Sequence, residues 1–507
     1  MNTFKKISKW VLIFILLSTP FSLFYTYTEI NRLWGEYTEQ VDHNQFYRPQ
    51  ADLVIQNVQV LTSDGSRMLA NQSVVIQDGV IVSMGKNVLV PAGYKVIDGN
   101  GQYLIPGMID SHVHLWQSPN DLLLYLANGI THIKEMNGSE EHLQWKQEIQ
   151  QGRPGPDMFV ASRRHNSTGL LRGWFDRLTA KINPVNEGDN IEAELLDLIA
   201  QGFDAIKVYT FLSKAHFLAF DAAAKQHGFQ ILGHTPITMK LNEIWGTEFR
   251  ELGHVEELVK ALNREFGGFQ SKTAEAYLKY VRSRSDEIVK QLLKHDVAVQ
   301  TTLTLMQDFA PIREDLDAVL SGVQLPYVNP GIAESTHPSI RAMGWLPEVN
   351  IYRLPDDYPD ELKAGNQMYW ETYAEANRIL IRAMAEGGVK LLAATDANVP
   401  VMVPGFSLHE ELISLQQVGM SNSAVLQAAT KVPAQAMDIK TGVVGVGYQA
   451  DLLLLSANPL ESISNTQKIE MVINNGRVYD RSTLDQILAA VKAANNSSRT
   501  SDISHYH

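Results

Sequence analysis

Between about residues 105 and 437 the chain repeats one pattern eight times, a short apolar run followed by a longer amphipathic stretch. The runs are "GMIDSHVH", "ITHIKEM", "DMFVASR", "DAIKVYT", "QILGHTP", "RELGHVEE", "VAVQTTLTL" and "VKLLAATDA". A parallel strand is buried on both faces and needs a crossover helix, so this alternation reads as βα units. Eight such units close on themselves, and the fold class expected is α/β, a (β/α)8 TIM-like barrel over 106–437. The stretch from about 306 to 375, between the seventh and eighth runs, is too long for a plain loop. It is expected to pack beside the barrel mouth as a substrate-shaping insertion, with Trp345, Tyr352, Tyr358 and Tyr369 as aromatic surface.

Both flanks of the barrel read as β. Residues 51–105 and 438–482 carry short alternating runs separated by turn pairs, Asp78-Gly79, Asn100-Gly101 and Asn475-Gly476, which predict antiparallel hairpins. The simplest arrangement is a small β-sandwich built from both chain ends. Residues 31–50 read as a polar linker. Residues 483–507 read as a helix over about 483–494 and a disordered tail.

The first 30 residues stand apart. Lys5, Lys6 and Lys9 precede residues 10–28, which carry no charge and are long enough to span a bilayer. The basic flank predicts a cytoplasmic N-terminus. An uncleaved membrane anchor is the better reading, since no small-x-small site follows the apolar core, and a cleaved signal peptide is its rival. Either way the folded part is expected outside the cytoplasm, anchored to the membrane or secreted to a periplasm. The 507 residues include no cysteine, so disulfides, sulfur-ligated metals and a thiolate nucleophile are excluded. A net charge of -13 argues against a nucleic-acid partner. The sequence leaves the oligomeric state open, a homo-oligomer included.

In such a barrel the chemistry lies at the carboxyl ends of the strands. Run one ends in His112 and His114, which alternation puts on one face. Run four carries Lys207 among apolar neighbours, runs five and six end in His234 and His254, and run eight ends in Asp396. The spacing alone does not decide, for His505 and His507 repeat it with no strand in front. Each residue singly also has a structural reading: a hydrogen-bonded core histidine, a snorkelling lysine, a helix-capping aspartate. Six at equivalent places on different strands are better explained as one metal site held by nitrogen and oxygen. Tyr209 shares the face of Lys207 and points to the pocket or packs. Arg163, Arg164 and His165, after run three, are candidates for receiving a substrate carboxylate, with solvated loop charge as the alternative. Glu135 is either a partner behind the ligands or a helix-cap acid.

The stretches "IPGMIDSHVH", "NGITHIKEM", "GFDAIKVYT", "GHTP", "GHVEEL", "ATDA" and "GVVGVGYQADLLLLSANPL" resemble the amidohydrolase superfamily, in its imidazolonepropionase-like and Xaa-Pro dipeptidase-like branch. The resemblance covers most of 51–480. It implies a metal-dependent hydrolase of amide or peptide C–N bonds acting on a small substrate, with two divalent ions, zinc being the usual choice. His112, His114 and Asp396 would hold the more buried ion and His234 and His254 the second. Lys207 would bridge them as a carbamate formed with carbon dioxide. It further implies a metal-held hydroxide as nucleophile, with Asp396 taking and returning the proton. "GHTPI" departs from dipeptidase-like members that carry a second histidine there. Two alternatives stand beside this: a one-metal cyclic-amide hydrolase or deaminase, and a catalytically dead surface binding protein.

Overall fold

The computed structural model describes residues 24–335 and 343–506. All eight apolar runs become strands of one ring: β1 (Met108–Val113), β2 (Ile130–Glu135), β3 (Asp157–Val160), β4 (Ile206–Val208), β5 (Ile231–Gly233), β6 (Phe249–Leu252), β7 (Ala298–Gln300) and β8 (Leu391–Leu392). β1–β3 and β4–β8 pair in parallel. Two single parallel bridges close the circle, Ala161 to Ala205 and Val113 to Ala397. Apolar residues of these strands meet their helices in one continuous core.

The flanking strands form a single eight-stranded sheet, contributed by both chain ends as expected. It curls around its own core of Leu53, Ile55, Val58, Ile76, Leu104, Leu452 and Leu454, and its far edge returns through a bridge from Val80 to Gln449. One expectation is corrected. Lys95–Asp98 and Tyr103–Pro106 are not a hairpin across Asn100-Gly101, because both pair in parallel with Leu53–Leu61. The cause is local. Leu53–Leu61 shifts register around residues 55–60, and Asn57 there has a φ of 55°, so its edge is divided between two partners. The hairpins at Asp78-Gly79 and Asn475-Gly476 form as expected.

Three further expectations change. Part of the 306–375 segment is ordinary barrel architecture, since the long helix Asp360–Gly387 leads into β8. The linker over 31–50 is instead a packed strap: Leu33, Trp34 and Phe46 are buried, and Thr38 donates to Asn329 Oδ1 at 2.6 Å. The tail is packed as well. Its helix runs Arg481–Ser498, Ile503 and Tyr506 are buried, and the Tyr506 hydroxyl donates to Asp317 Oδ1 at 2.6 Å. In both cases a few apolar residues within polar sequence supply the anchorage. Most of the apolar stretch 10–28 lies outside the described residues. Among those described, no helix is long and apolar enough to cross a membrane, and residues 24–33 are helical.

Candidate metal centre at the strand ends

The carboxyl ends of the strands bring His112, His114, Lys207, His234, His254 and Asp396 together. Asp396 Oδ1 lies 3.3 Å from His112 Nε2 and 3.1 Å from His114 Nε2. Its Oδ2 stands 3.9 Å from His254 Nε2. The His112 and His254 rings stack with centroids 4.5 Å apart, and His234 meets His254 edge-on at 5.0 Å. Lys207 Nζ is 3.4 Å from His112 Nε2. The cluster is nearly closed to water, with His114, His234 and Asp396 keeping 6, 7 and 9% of their exposure.

The hydrogen bonds behind the ligands fix where protons sit. Gln300 Nε2 donates to Ser111 O and to Glu251, so its Oε1 faces His112 as an acceptor. His112 Nδ1 lies 2.5 Å from that oxygen and 3.1 Å from Gly253 O. Two acceptors require the proton on Nδ1, which leaves Nε2 a bare lone pair aimed at Asp396. His234 Nδ1 likewise faces Glu257 Oε1 at 3.3 Å and Thr210 Oγ1 at 3.0 Å. Asp396 Oδ1 is buried and accepts no hydrogen bond. Converging lone pairs and an orphaned carboxylate oxygen repel one another unless a cation lies between them. The residues therefore fit a divalent ion with nitrogen and oxygen ligands, and His112, His114 and Asp396 are one of two groups among the described residues whose ligand atoms lie within 4.8 Å of one another, His132, Asp157 and Asp451 being the other.

Electrostatics agree. Burial pushes the Lys207 amine down to about 7, against an opposing pull from Asp396 and with help from Arg164. A neutral amine is thus present near neutral pH. Burial lowers His254 to about 4 and holds His112 and His234 well below the imidazole range. Burial alone would raise the Asp396 carboxyl, but His254 and His114 outweigh it and keep it below its usual range. The Asp396 backbone has a φ of 61°, a left-handed conformation that aspartate tolerates and that turns its carboxylate inward.

The other candidates divide. Arg164 lies over the Tyr209 ring at 4.9 Å, and Tyr209 packs against His234 at 4.3 Å, so both border the cluster. Glu135 is a partner behind the ligands: it accepts from the Leu115 and Asn137 amides at 2.6 and 2.7 Å and faces His114 Nδ1 at 3.8 Å. His165 is corrected. Its ring is turned into the helix layer, against Phe220 and with Nε2 3.0 Å from Glu194 Oε1, so it does not reach the cluster. Arg163 instead lines a cavity of about 50 Å³ with Trp34, Trp116 and Lys181. Of the insertion aromatics, Trp345 is core, whereas Tyr352 packs on Phe309 at 5.0 Å, and burial followed by Asp396 and Tyr209 pushes its hydroxyl up.

Three features escaped the sequence reading. The Lys134–Glu251–Gln300 chain behind His112, with Lys134 Nζ 2.5 Å from Glu251, looks like ordinary strand sequence. The stack of His114 on Trp116 at 4.8 Å and the tilted contact of Trp116 with Trp34 at 4.3 Å join residues 80 positions apart. At the opposite barrel end His132 faces Asp157 and Asp451 at 3.6 and 3.9 Å, joining barrel to sheet.

A closed eight-strand parallel barrel with a candidate nitrogen and oxygen cation site on its carboxyl ends defines the class of fold. The family model described as the amidohydrolase family matches residues 340–479. Solved structures share the fold across most of the chain: a bottromycin amidohydrolase at TM-score 0.63 and 21% identity, covering 89% of this chain and 92% of that one. A Xaa-Pro dipeptidase with bound methionine follows at TM-score 0.59 and 16% identity, covering 85% of this chain and 100% of that one. Curated relatives match over short segments. A dihydroorotase of Trichlorobacter lovleyi is 45% identical over 42 residues, 8% of this chain and 10% of its own length. An adenine deaminase of Geobacillus kaustophilus is 34% identical over 99 residues, 18% of this chain and 16% of its own length. The likeness to the amidohydrolase family is carried in sequence by residues 340–479 and in fold by most of the chain, while the chain spans less than a fifth of the length of these curated relatives.

Proposed function

We propose that this protein is a metal-dependent amidohydrolase that cleaves an amide or peptide C–N bond of a small substrate, at a two-ion site bridged by carboxylated Lys207. The observation that carries the reading is the meeting of the His112 lone pair and the His114 Nε2 with an unpartnered Asp396 oxygen, beside a buried lysine whose amine burial brings down to about 7. A divalent ion bound there supplies Lewis acidity to a scissile carbonyl and acidifies water. Asp396 would serve as proton acceptor and donor, since its carboxylate is held ionised among the candidate ligands. Arg164 and Tyr209, beside His234, are placed to hold a substrate carboxylate, which favours dipeptides or N-acyl amino acids.

The test is metal analysis of the purified protein with Lys207→Ala. About two equivalents of a zinc-like ion per chain are expected, falling with activity in the variant and partly restored by short carboxylic acids. Unchanged metal and full activity in Lys207→Ala overturn the bridge. Substrate class is tested by a matched pair, one with a free carboxylate and one amidated, with preference for the former. A one-ion reading has its own support, since His234 and His254 fall outside the tight ligand group. One equivalent, with cyclic amides or ring amines as substrates, would establish it. We also read residues 10–28 as an uncleaved anchor that leaves the folded part outside the cytoplasm.

A further inference from the structure

Helix Leu170–Thr179, in the segment between β3 and β4, carries its apolar side outward. Leu170, Trp174 and Leu178 stand at i, i+4 and i+8, and Leu171 and Phe175 form the adjoining row, so all five share one stripe. Leu170, Leu171 and Trp174 are 77, 89 and 62% exposed, and Phe175 and Leu178 are exposed as well. The buried side is Gly173 and Thr179. A Cβ at Gly173 would come within 2.5 Å of Pro184 Cβ, so the glycine lets the helix lie flat while contributing no apolar side chain to the core. Helices of globular proteins are ordinarily arranged the other way round. Exposed Phe211 and Ile237 follow β4 and β5 at the same barrel end, with Ser167 N donating to Phe211 O and Ile237 N to Thr210 O. These two exposed apolar side chains thus stand on the loops at the same barrel end as the helix.

The chain itself indicates what covers this face. The uncharged sequence 10–28 overlaps the helix over 24–33, where Phe24, Tyr25 and Tyr27 are exposed. Lys181, two residues beyond helix Leu170–Thr179, donates to Asn31 Oδ1 at 3.1 Å. Asn31 is four residues from Tyr27, about 6 Å along a helix, so a chain leaving a bilayer near residue 28 would emerge near the C-terminal end of helix Leu170–Thr179. Leucine, tryptophan and phenylalanine on one side, with Arg172 and Arg177 on the helix as well, is the composition of a helix lying in a headgroup layer. The helix is also tied to the site, because Arg164 Nη2 donates to the carbonyl of its C-cap Ala180 at 2.7 Å while its guanidinium covers Tyr209.

We propose that Leu170–Thr179 is an interfacial helix, resting in the bilayer that residues 10–28 enter and holding the barrel mouth against the lipid surface. The proposal rests on the anchor reading above, and its test separates the two. Because the chain has no cysteine, Leu171→Cys and, on the sheet domain, Leu89→Cys each give one site for an environment-sensitive nitrobenzoxadiazole label. The full-length protein is reconstituted with phosphatidylcholine vesicles. Co-flotation reports the anchor, and quenching by spin-labelled lipid against aqueous iodide reports the helix. At 171, quenching by lipid several-fold stronger than by iodide is expected, with the reverse at 89. Co-flotation with an iodide-accessible label at 171 leaves the anchor standing and overturns the helix. Failure to float, with lipid quenching at 171 when vesicles are added, supports the helix and overturns the anchor. A 171 label shielded from both quenchers and cross-linking between copies means that a second copy covers the face, which also overturns the proposal.

Discussion

At the residue scale, the orientation of His112 depends on a buried polar chain that never touches the candidate ion. Lys134 pairs with Glu251, Glu251 receives Gln300, and Gln300 presents Oε1 to His112 Nδ1. Partners of this kind fix the tautomer of a ligand, and their loss typically weakens metal affinity about 10–100-fold. Gln300→Leu is therefore expected to release metal to a chelator at correspondingly lower concentration. Equal metal affinity in Gln300→Leu would remove the role assigned to this chain. Asp396→Asn should separate binding from turnover. The amide oxygen can still serve as a ligand but the group no longer takes up a proton, so metal content should largely persist while kcat falls by about 10²–10⁴-fold.

At the scale of elements, β4 and β5 approach closely because of one glycine. Gly233 has a φ of 124°, and a Cβ there would meet Val208 O at 2.3 Å and the Lys207 Cδ at 3.0 Å. Gly233→Ala should displace Lys207 and depress activity far more than a comparable change at exposed Gly169, read as kcat/KM beside the thermal midpoint. The strap over residues 31–50 adds a second expectation, because Trp34 is buried against Trp116, which stacks on His114. Trp34→Ala should cost about 3–5 kcal/mol, and a chain beginning at residue 39 should be less stable and less active than one beginning at residue 24. These elements also show what was legible. The eight strands could be read because a buried parallel strand writes itself as an apolar run, and the candidate ligands because they terminate such runs. Gln300 and Glu251 left no mark, since polar residues inside strands acquire meaning only from the facing strand. Likewise Trp34 sits in a polar stretch, and only the closed barrel brings Trp116 to it.

At the scale of the whole molecule, barrel and flanking sheet are joined through buried polar groups whose protonation sets acid stability. One is His409, on helix Phe406–Gln417, with Nε2 3.1 Å from Asn128 O and Nδ1 3.0 Å from Thr466 Oγ1. Burial is the main cause that lowers its imidazole to about 4, with the Asn128 carbonyl opposing. The folded state thus refuses a proton that the unfolded chain accepts below about pH 6.5. Its contribution is present above that pH and is lost as pH falls toward 4. Between pH 7 and pH 5 this single site should remove about 2 kcal/mol of stability, given a folded value of about 4. His409→Gln keeps a donor for Asn128 O but does not titrate. Its stability at pH 7 should drop through imperfect packing, yet its further loss on going to pH 5 should be smaller than that of the parent by about 2 kcal/mol. Urea unfolding of both proteins at the two pH values decides the matter, since the other buried histidines act equally in each. If parent and variant lose the same stability between pH 7 and pH 5, His409 is not a seat of acid sensitivity.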